Sequence, residues 1–565
     1  MRPFSFTRFF PGVCAALLAI PALAEAPVSV RPVGARHGIV VAGHPQAAEA
    51  GRAVLQAGGN AIDAAVATSL ALGVAEPYAS GLGGGLMLLY YDASSGRTQL
   101  IEAMDEAGSL DVKAYLMRPA DDRSLGCGSV CVPGLAAGLW AAHQKWGARK
   151  WADDVQPAIV LARDGALVLS KTRDSIERQI RKLCRGDAEI AKLFLPGSAV
   201  PAVGARLANP DLARTMESLA QGGRAGFYQG AVAASLLATL AAQGGVITAD
   251  DFAGYQARVG LPAEIEFHGY HLVGAPPPVG GTALLFTALK VLENEAFDGG
   301  PLRQASNLDT IGNVWRVVAP LVDRLIGDTP EAPHNFETLV APDSINAIRT
   351  KLVEESPALK SVSAAEPDRE DVAASTTHFI VVDERGDVVC ATQSLGSHFG
   401  AGVVAAGTGV VLNDSMSDFV FDDAGSPNYV APGRRPRSAI APTIVFRAGR
   451  PALAIGAPGG ERIASALLQV LIDRLVLDRP LGEAIGDTRF HFMPESAIRG
   501  ATFESEDSLA EVDEVSLRRF GWRIERSEPA GAGRRFGGVN AVEFGADGSL
   551  TGFADPRRTN AVAGY

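Results

Sequence analysis

The sequence predicts a layered α/β fold, in which hairpin-built sheets are covered by helices, and three observations carry that reading. Apolar runs of strand length come in pairs joined by turn residues. One pair is 86-LMLLYYD-92 and 98-TQLIEA-103 across Ala93-Ser94-Ser95-Gly96; the other is 379-FIVV-382 and 388-VVCATQS-394 across Arg385-Gly386. In the second pair Phe379 and Val381 fill one face and Ile380 and Val382 the other, the pattern of a strand covered on both sides. Helical segments with start and stop signals stand before and after these hairpins.

The first element is not part of the fold. Arg2 and Arg8 precede the apolar run 13-VCAALLAIPALA-24, and Ala22-Leu23-Ala24 fits a small-residue cleavage site, so residues 1–24 read as a signal peptide. The run is shorter than the roughly 20 residues of a membrane span, and no later segment is long and apolar enough to be one. The expected product is exported, periplasmic or secreted. Next, 45-PQAAEAGRAVLQAGGN-60 reads as a helix opened by Pro45 and stopped by Gly58-Gly59. Asn60 caps a second helix, 61-AIDAAVATSLAL-72, expected to end at Gly73. A helical middle region includes 135-LAAGLWAAHQKW-146 and 212-LARTMESLAQ-221. Residues 351–375, rich in Glu, Ser, Ala and Pro without an apolar period, are expected to be exposed and mobile. After the central hairpin come strands 409-GVVLN-413, 443-TIVFR-447 and 451-PALAIGA-457, then Pro458-Gly459-Gly460 and an apolar helix over 461-ERIASALLQVLIDRLVL-477.

Composition excludes some functions. The formal charge is −12, and −14 once Arg2 and Arg8 leave with the leader. An acidic chain whose densest basic cluster is Arg434, Arg435 and Arg437 has no electrostatic footprint for nucleic acid. Cys127 and Cys131 lack the second ligand pair of a zinc site, and buried free thiols are the simpler reading of the four cysteines left after the leader. The expectation is no metal, no cofactor and a small-molecule substrate.

The informative stretch is 371-DVAASTTHFIVVDERGD-387, where two threonines stand between a loose segment and a strand. Threonine is common at strand starts, which is the bland explanation. The chemical one is that Thr376 becomes the first residue of a chain. A threonine hydroxyl needs a base, and a freed α-amine, which titrates near pH 7.7–8.0 in peptides, supplies one from the same residue. Thr377 is then mainly a strand residue. Ser394 ends the return strand, across the hairpin from Thr376. Gly459-Gly460 precede a helix, where free N–H groups and the helix dipole stabilise an oxyanion.

With these pieces in view the sequence resembles the γ-glutamyltransferase (glutathione hydrolase) family of N-terminal-nucleophile hydrolases. The likeness runs through 43-GHPQAAEAGRAVLQAGGNAIDAAVA-67, 75-AEPYASGLGGG-85, 376-TTHFIVVDERGDVVCATQSLGSHFG-400, 411-VLNDSMSDF-419 and 456-GAPGGERI-463. The resemblance implies an α+β fold, a four-layer αββα sandwich. It also implies a proenzyme that cuts itself between Ser375 and Thr376 into a large subunit, 25–375, and a small one, 376–565. Carried over, Thr376 matches the nucleophile, Ser394 its supporting hydroxyl, and Gly459 and Gly460 the oxyanion pair. Asp418 matches the acid that holds the substrate α-amine, and Ser438 a serine near the glutamyl carboxylate. Four positions depart from the pattern: Met104 where an arginine clamps that carboxylate, Ala439 for a second serine, and Gly396 and Ser415 where amides are usual. Methionine offers no donor, so the acyl pocket looks altered while the reaction machinery is kept. Segment 420–437 is short for a covering loop, and Arg437 is a candidate replacement for the clamp.

Other motifs have structural readings. The run 81-GLGGG-85 precedes a strand and lacks a dinucleotide fingerprint. His268 and His271, in an extended segment, point to opposite faces. His378 is turned partly away from Thr376. Three functions remain open: a γ-glutamyl hydrolase or transferase acting on glutathione or a related amide, a cephalosporin acylase-like enzyme with another acyl group, and a non-catalytic homologue.

Overall fold

The computed structural model of the chain describes residues 30–297, 302–355, 374–493, 501–526 and 536–565. The predicted leader and residues 356–373 lie outside these residues; of the rest of 351–375, residues 351–355 end the helix Pro342–Glu355 and Ser375 is buried in the strand Ala374–Val382, against the expectation of an exposed segment.

Two seven-stranded antiparallel sheets dominate. The first runs, edge to edge, Ala561–Gly564, Ile39–Ala42, Ala374–Val382, Val388–Ser397, Gly85–Asp92, Arg97–Ala103 and Arg258–Gly260. The second runs Val33–Ala35, Leu550–Ala554, Asn540–Phe544, Arg450–Gly456, Thr443–Arg447, Tyr270–Gly274 and Ala263–Phe267. Both predicted hairpins form, and Ala374–Val382 sits centrally, flanked by its hairpin partner and by Ile39–Ala42.

Alternation along that strand assigns the layers. Phe379 and Val381 pack outward with Val389 and Ala391 against helices Pro45–Gln56, Ala61–Ala75 and Leu135–Trp146. Ile380, Val382, Val388 and Cys390 point the other way and share a core with Ile444, Ile455 and the second sheet. Helices Gly280–Leu292, Ala305–Leu325 and Arg462–Leu475 close the far side of that core. Each such side chain taken fully from water contributes about 1.5–3 kcal/mol, which drives the stacking of two sheets and two helical layers. The result is the αββα sandwich.

Local expectations differ from the structure at five further places. The second helix continues through Gly73 to Ala75, because Gly73 is a close-approach residue: a Cβ there lies 2.9 Å from Gly81 Cα. The strand expected over 409–413 shrinks to Val410–Val411, paired with Val404–Ala405. His268 is in the hairpin turn before Tyr270–Gly274, at φ 49°, and His271 faces Glu266 at 2.9 Å. Cys184 is exposed, while Cys127, Cys131 and Cys390 are buried free thiols as expected. The last long helix is trimmed to Arg462–Leu475. No helix among the described residues is long and apolar enough to cross a membrane.

Candidate active site

Pairing between Ala374–Val382 and Val388–Ser397 is regular from Thr377↔Gln393 onward, but Ser375 already faces Gly396. Thr376 alone therefore opposes Ser394 and Leu395, a β-bulge that leaves it out of the ladder. The bulge gathers hydroxyls on one carbonyl. Thr376 Oγ1 donates to Ser375 O at 2.6 Å and lies 3.1 Å from Ser394 Oγ. Ser394 Oγ donates to the same carbonyl and accepts the Gly396 N–H at 3.0 Å. A hydroxyl beside its own preceding carbonyl, polarised by a second hydroxyl, can add to the carbonyl carbon. The Oγ1–C bond forms, the C–N bond breaks, and water hydrolyses the ester to leave a free Thr376 amine and a Ser375 carboxylate.

Support comes from residues far along the chain. Glu76, at the end of the second helix, accepts Thr377 Oγ1 at 2.7 Å and Tyr78 Oη at 2.6 Å. Ser375 Oγ donates to Tyr78 O, and Arg558 Nη1 donates to Thr376 O at 3.0 Å. Burial pushes His378 down to about 3, and its Nδ1 lies 2.8 Å from Thr392 Oγ1, a packing role as the sequence suggested.

The glycine pair arrives from the second sheet. Ile455 O lies 3.6 Å from Cys390 Sγ, level with Ile380, and Gly456 sits against the His378 ring, where a Cβ comes within 2.2 Å of Cε1. The strand thus advances toward Thr376 as it leaves the sheet, and Gly459 and Gly460 follow at φ 138° and 58°. Among the described residues neither N–H donates to a backbone carbonyl. Gly459 also abuts Gly537, whose Cα lies 3.0 Å from the position of a Cβ.

The residues matched to the acyl pocket separate into two groups. Met104, buried at 8% exposure, precedes Asp105, which accepts Ser415 Oγ at 2.6 Å. Burial holds the Asp105 carboxyl well above the usual carboxylate range, with Asp418 and Asp414 adding to the effect. Asp418 ends the short turn Ser415–Asp418 and is exposed. Ser438 stands apart: its carbonyl accepts the N–H groups of Gly280 and Gly281, and Ala439 O packs on Gly281. The Asn428 side chain joins the groups, donating to Asp418 O at 2.7 Å and accepting Arg437 N–H at 2.8 Å.

Two nearby arginines are committed to other carboxylates, while the Arg434 side chain donates, among the described residues, only to Tyr429 O, at 3.3 Å. Arg437 pairs with Asp323 at 2.7 Å, and buried Arg435 pairs with Glu102 at 3.1 Å and Glu106 at 3.5 Å. Gly396 is more than a lost amide. It sits at φ 92°, and a Cβ there falls 2.2 Å from Asp414 Oδ1. Gly396→Asn is therefore expected to destabilise the fold by about 1–3 kcal/mol without restoring an amide contact, read from the denaturant midpoint.

Fold and bulge together define the class. In fold the chain is similar to cephalosporin acylase from Bacillus halodurans, with TM-score 0.85 over 97% of this chain and 99% of that one at 23% identity. This is the N-terminal-nucleophile hydrolase sandwich. The profile of the Gamma-glutamyltranspeptidase family matches residues 47–565. The glutathione hydrolase proenzyme of Pseudomonas sp. (strain A14) is 32% identical across 95% of this chain and 96% of its own length. The acylase ACY 1 proenzyme of Pseudomonas sp. (strain SE83) is also 32% identical, across 95% of each. The chain belongs to the gamma-glutamyltranspeptidase family.

Proposed function

We propose that this chain is an exported, self-processing amide hydrolase or acyltransferase of the γ-glutamyltransferase type, with Thr376 as nucleophile. The leader is cut after Ala24, and cleavage at Ser375–Thr376 gives subunits 25–375 and 376–565. The observation that carries the reading is the convergence of Thr376 Oγ1 and Ser394 Oγ on the Ser375 carbonyl. In turnover the Thr376 amine takes the Oγ1 proton as Oγ1 adds to the substrate carbonyl, and Gly459 and Gly460 N–H groups hold the oxyanion. The amine returns the proton to the leaving nitrogen, and water or an amine acceptor releases the acyl group.

Asp418 holds an α-amine of the acyl group, with Ser438 beside its other end. A second acyl specificity is favoured by Met104 and by the carboxylate pairing of Arg435 and Arg437, which leave a glutamyl α-carboxylate without its usual clamp. The likeness to an acylase proenzyme points the same way. The experiment is a substrate panel on the processed enzyme. A γ-glutamyl amide is expected to exceed a glutaryl amide lacking the α-amine by tenfold or more in kcat/KM, about 1.4 kcal/mol of discrimination. Equal rates remove the role of Asp418 and favour the second specificity.

A further inference from the structure

The nucleophile's own carbonyl is held by a cation that the chemistry above does not use. Arg558 belongs to the turn 555-DPRR-558, is buried, and donates from Nη1 to Thr376 O at 3.0 Å. Its Nε has no hydrogen-bond partner among the described residues. A residue's nitrogen and carbonyl oxygen are close, so the guanidinium stands on the order of 5–7 Å from the Thr376 nitrogen. A second cation, Lys171 of helix Ser170–Arg178, is nearly as buried at 9% exposure. Burial takes Lys171 down to about 7, with Arg558 and Arg178 pushing the same way.

Around them, His398 is fully enclosed, and neither ring nitrogen has a partner among the described residues. Burial and the fields of Lys171, Arg558 and Lys182 keep that imidazole neutral. Lys182 is matched by Asp414 at 3.6 Å. Burial lowers the His44 pKa, Glu76 and Asp555 are the carboxylates that act on Arg558, and Asp174 and Glu76 those that act on Lys171. The two Glu76 oxygens are already committed to Tyr78 and Thr377. Arg558 is thus buried without an ion pair among the described residues, its nearest offsetting charges acting at a distance, and a buried cation is costly unless paired.

We propose that Arg558 is a positioning residue for the amine that cleavage creates at Thr376, fixing the nucleophile's carbonyl and holding that amine neutral at the pH where it serves as base. The inference rests on the reading of Thr376 as an N-terminal nucleophile. A fixed positive charge disfavours the ammonium form, so the amine is available at lower pH. When Oγ1 bonds to the substrate carbon the amine gains the proton, and the same charge makes that ammonium a better donor to the leaving nitrogen as the C–N bond breaks. Lys171, lowered to about 7, adds to that field only on the acid side of that pH.

The test is the pH profile of kcat/KM for the processed wild type, Arg558→Gln, Arg558→Lys and Lys171→Gln, each checked for a small chain that begins at Thr376. Removing the charge raises the amine's pKa, so the acid limb of Arg558→Gln is expected to move up by about one pH unit. That is about a tenfold loss on the acid side and little change at pH 9. Arg558→Lys keeps the limb in place, and Lys171→Gln moves it up by less. If Arg558→Gln is not cut, Arg558→Met and Arg558→Ala, charge deletions of other sizes, are read in its place. A limb unmoved in every processed charge-deletion variant overturns the role of Arg558 and leaves Thr376 as nucleophile. A wild-type chain that stays whole yet turns over overturns the reading of Thr376 itself.

Discussion

Thr376→Ala is expected to yield a single uncut chain with turnover lowered by at least about 10⁴-fold, the scale seen when a nucleophile is removed from an acyl-transfer enzyme. Both losses have one cause. In the intact chain Thr376 Oγ1 is the hydroxyl hydrogen-bonded to the Ser375 carbonyl from the following residue, 2.6 Å from its oxygen. Ser394 Oγ reaches the same oxygen, but it arrives across the hairpin and is itself held by the Gly396 N–H. Alanine removes the attacking atom, so neither the cut nor the amine it releases can form. Thr376→Ser keeps hydroxyl and amine, and is expected to restore both processing and activity at reduced rate. Denaturing electrophoresis, sequencing of the small chain and a turnover assay read all three outcomes. Two chains from Thr376→Ala, or full activity in an uncut chain, exclude Thr376 as the nucleophile.

What the sequence disclosed was local. The hairpin bearing Thr376 and Ser394, the Gly459-Gly460 turn before a helix, and the two-faced apolar strand each lie within a short stretch, where alternation and turn residues speak for themselves. The residues that hold Thr376 and Thr377 were silent for the opposite reason. Arg558 is 182 residues from Thr376, and Glu76 is 301 from Thr377. A charged residue in a sequence reads as solvated, and its burial is settled only by tertiary packing. Glycines misled in a similar way. Gly73 looked like a helix stop but is a contact with Gly81, and the sequence did not disclose that Gly396 is also required by its φ and by Asp414. Arg437 was a candidate clamp because it neighbours Ser438, and the fold gives it to Asp323 instead.

Asp555→Ala has the largest expected effect on stability, and the loss extends to the glycine turn. Asp555 is fully buried, accepting Arg489 Nη2 at 2.9 Å and the Val539 N–H at 3.0 Å on one oxygen, and the Arg557 N–H at 3.0 Å on the other. Burial raises its pKa, but Arg557 and Arg489 outweigh that and hold the carboxyl below the ordinary range. Arg557 has a second carboxylate in Glu506 at 2.7 Å, whereas burial already lowers Arg489 to about 10. Removing one partner of a buried pair costs about 3–5 kcal/mol, because the remaining charge is stranded. Here the stranded group is Arg489, which also donates from Nη1 to Gly537 O. Gly537 is seated so tightly that a Cβ on it falls 1.9 Å from Pro458 O, and it abuts Gly459 in turn. Relaxation of Arg489 is therefore expected to shift the loop that backs Gly459 and Gly460, the proposed oxyanion donors. A lower unfolding midpoint is expected together with a fall in kcat measured well below that midpoint, with KM changed less. Asp555→Asn keeps an acceptor for Val539 but loses the charge, and is expected to recover part of the kcat while remaining destabilised. A midpoint within about 1 kcal/mol of wild type for Asp555→Ala rules out a stabilising role for the pair, and a lowered midpoint with unchanged kcat uncouples it from the glycine turn.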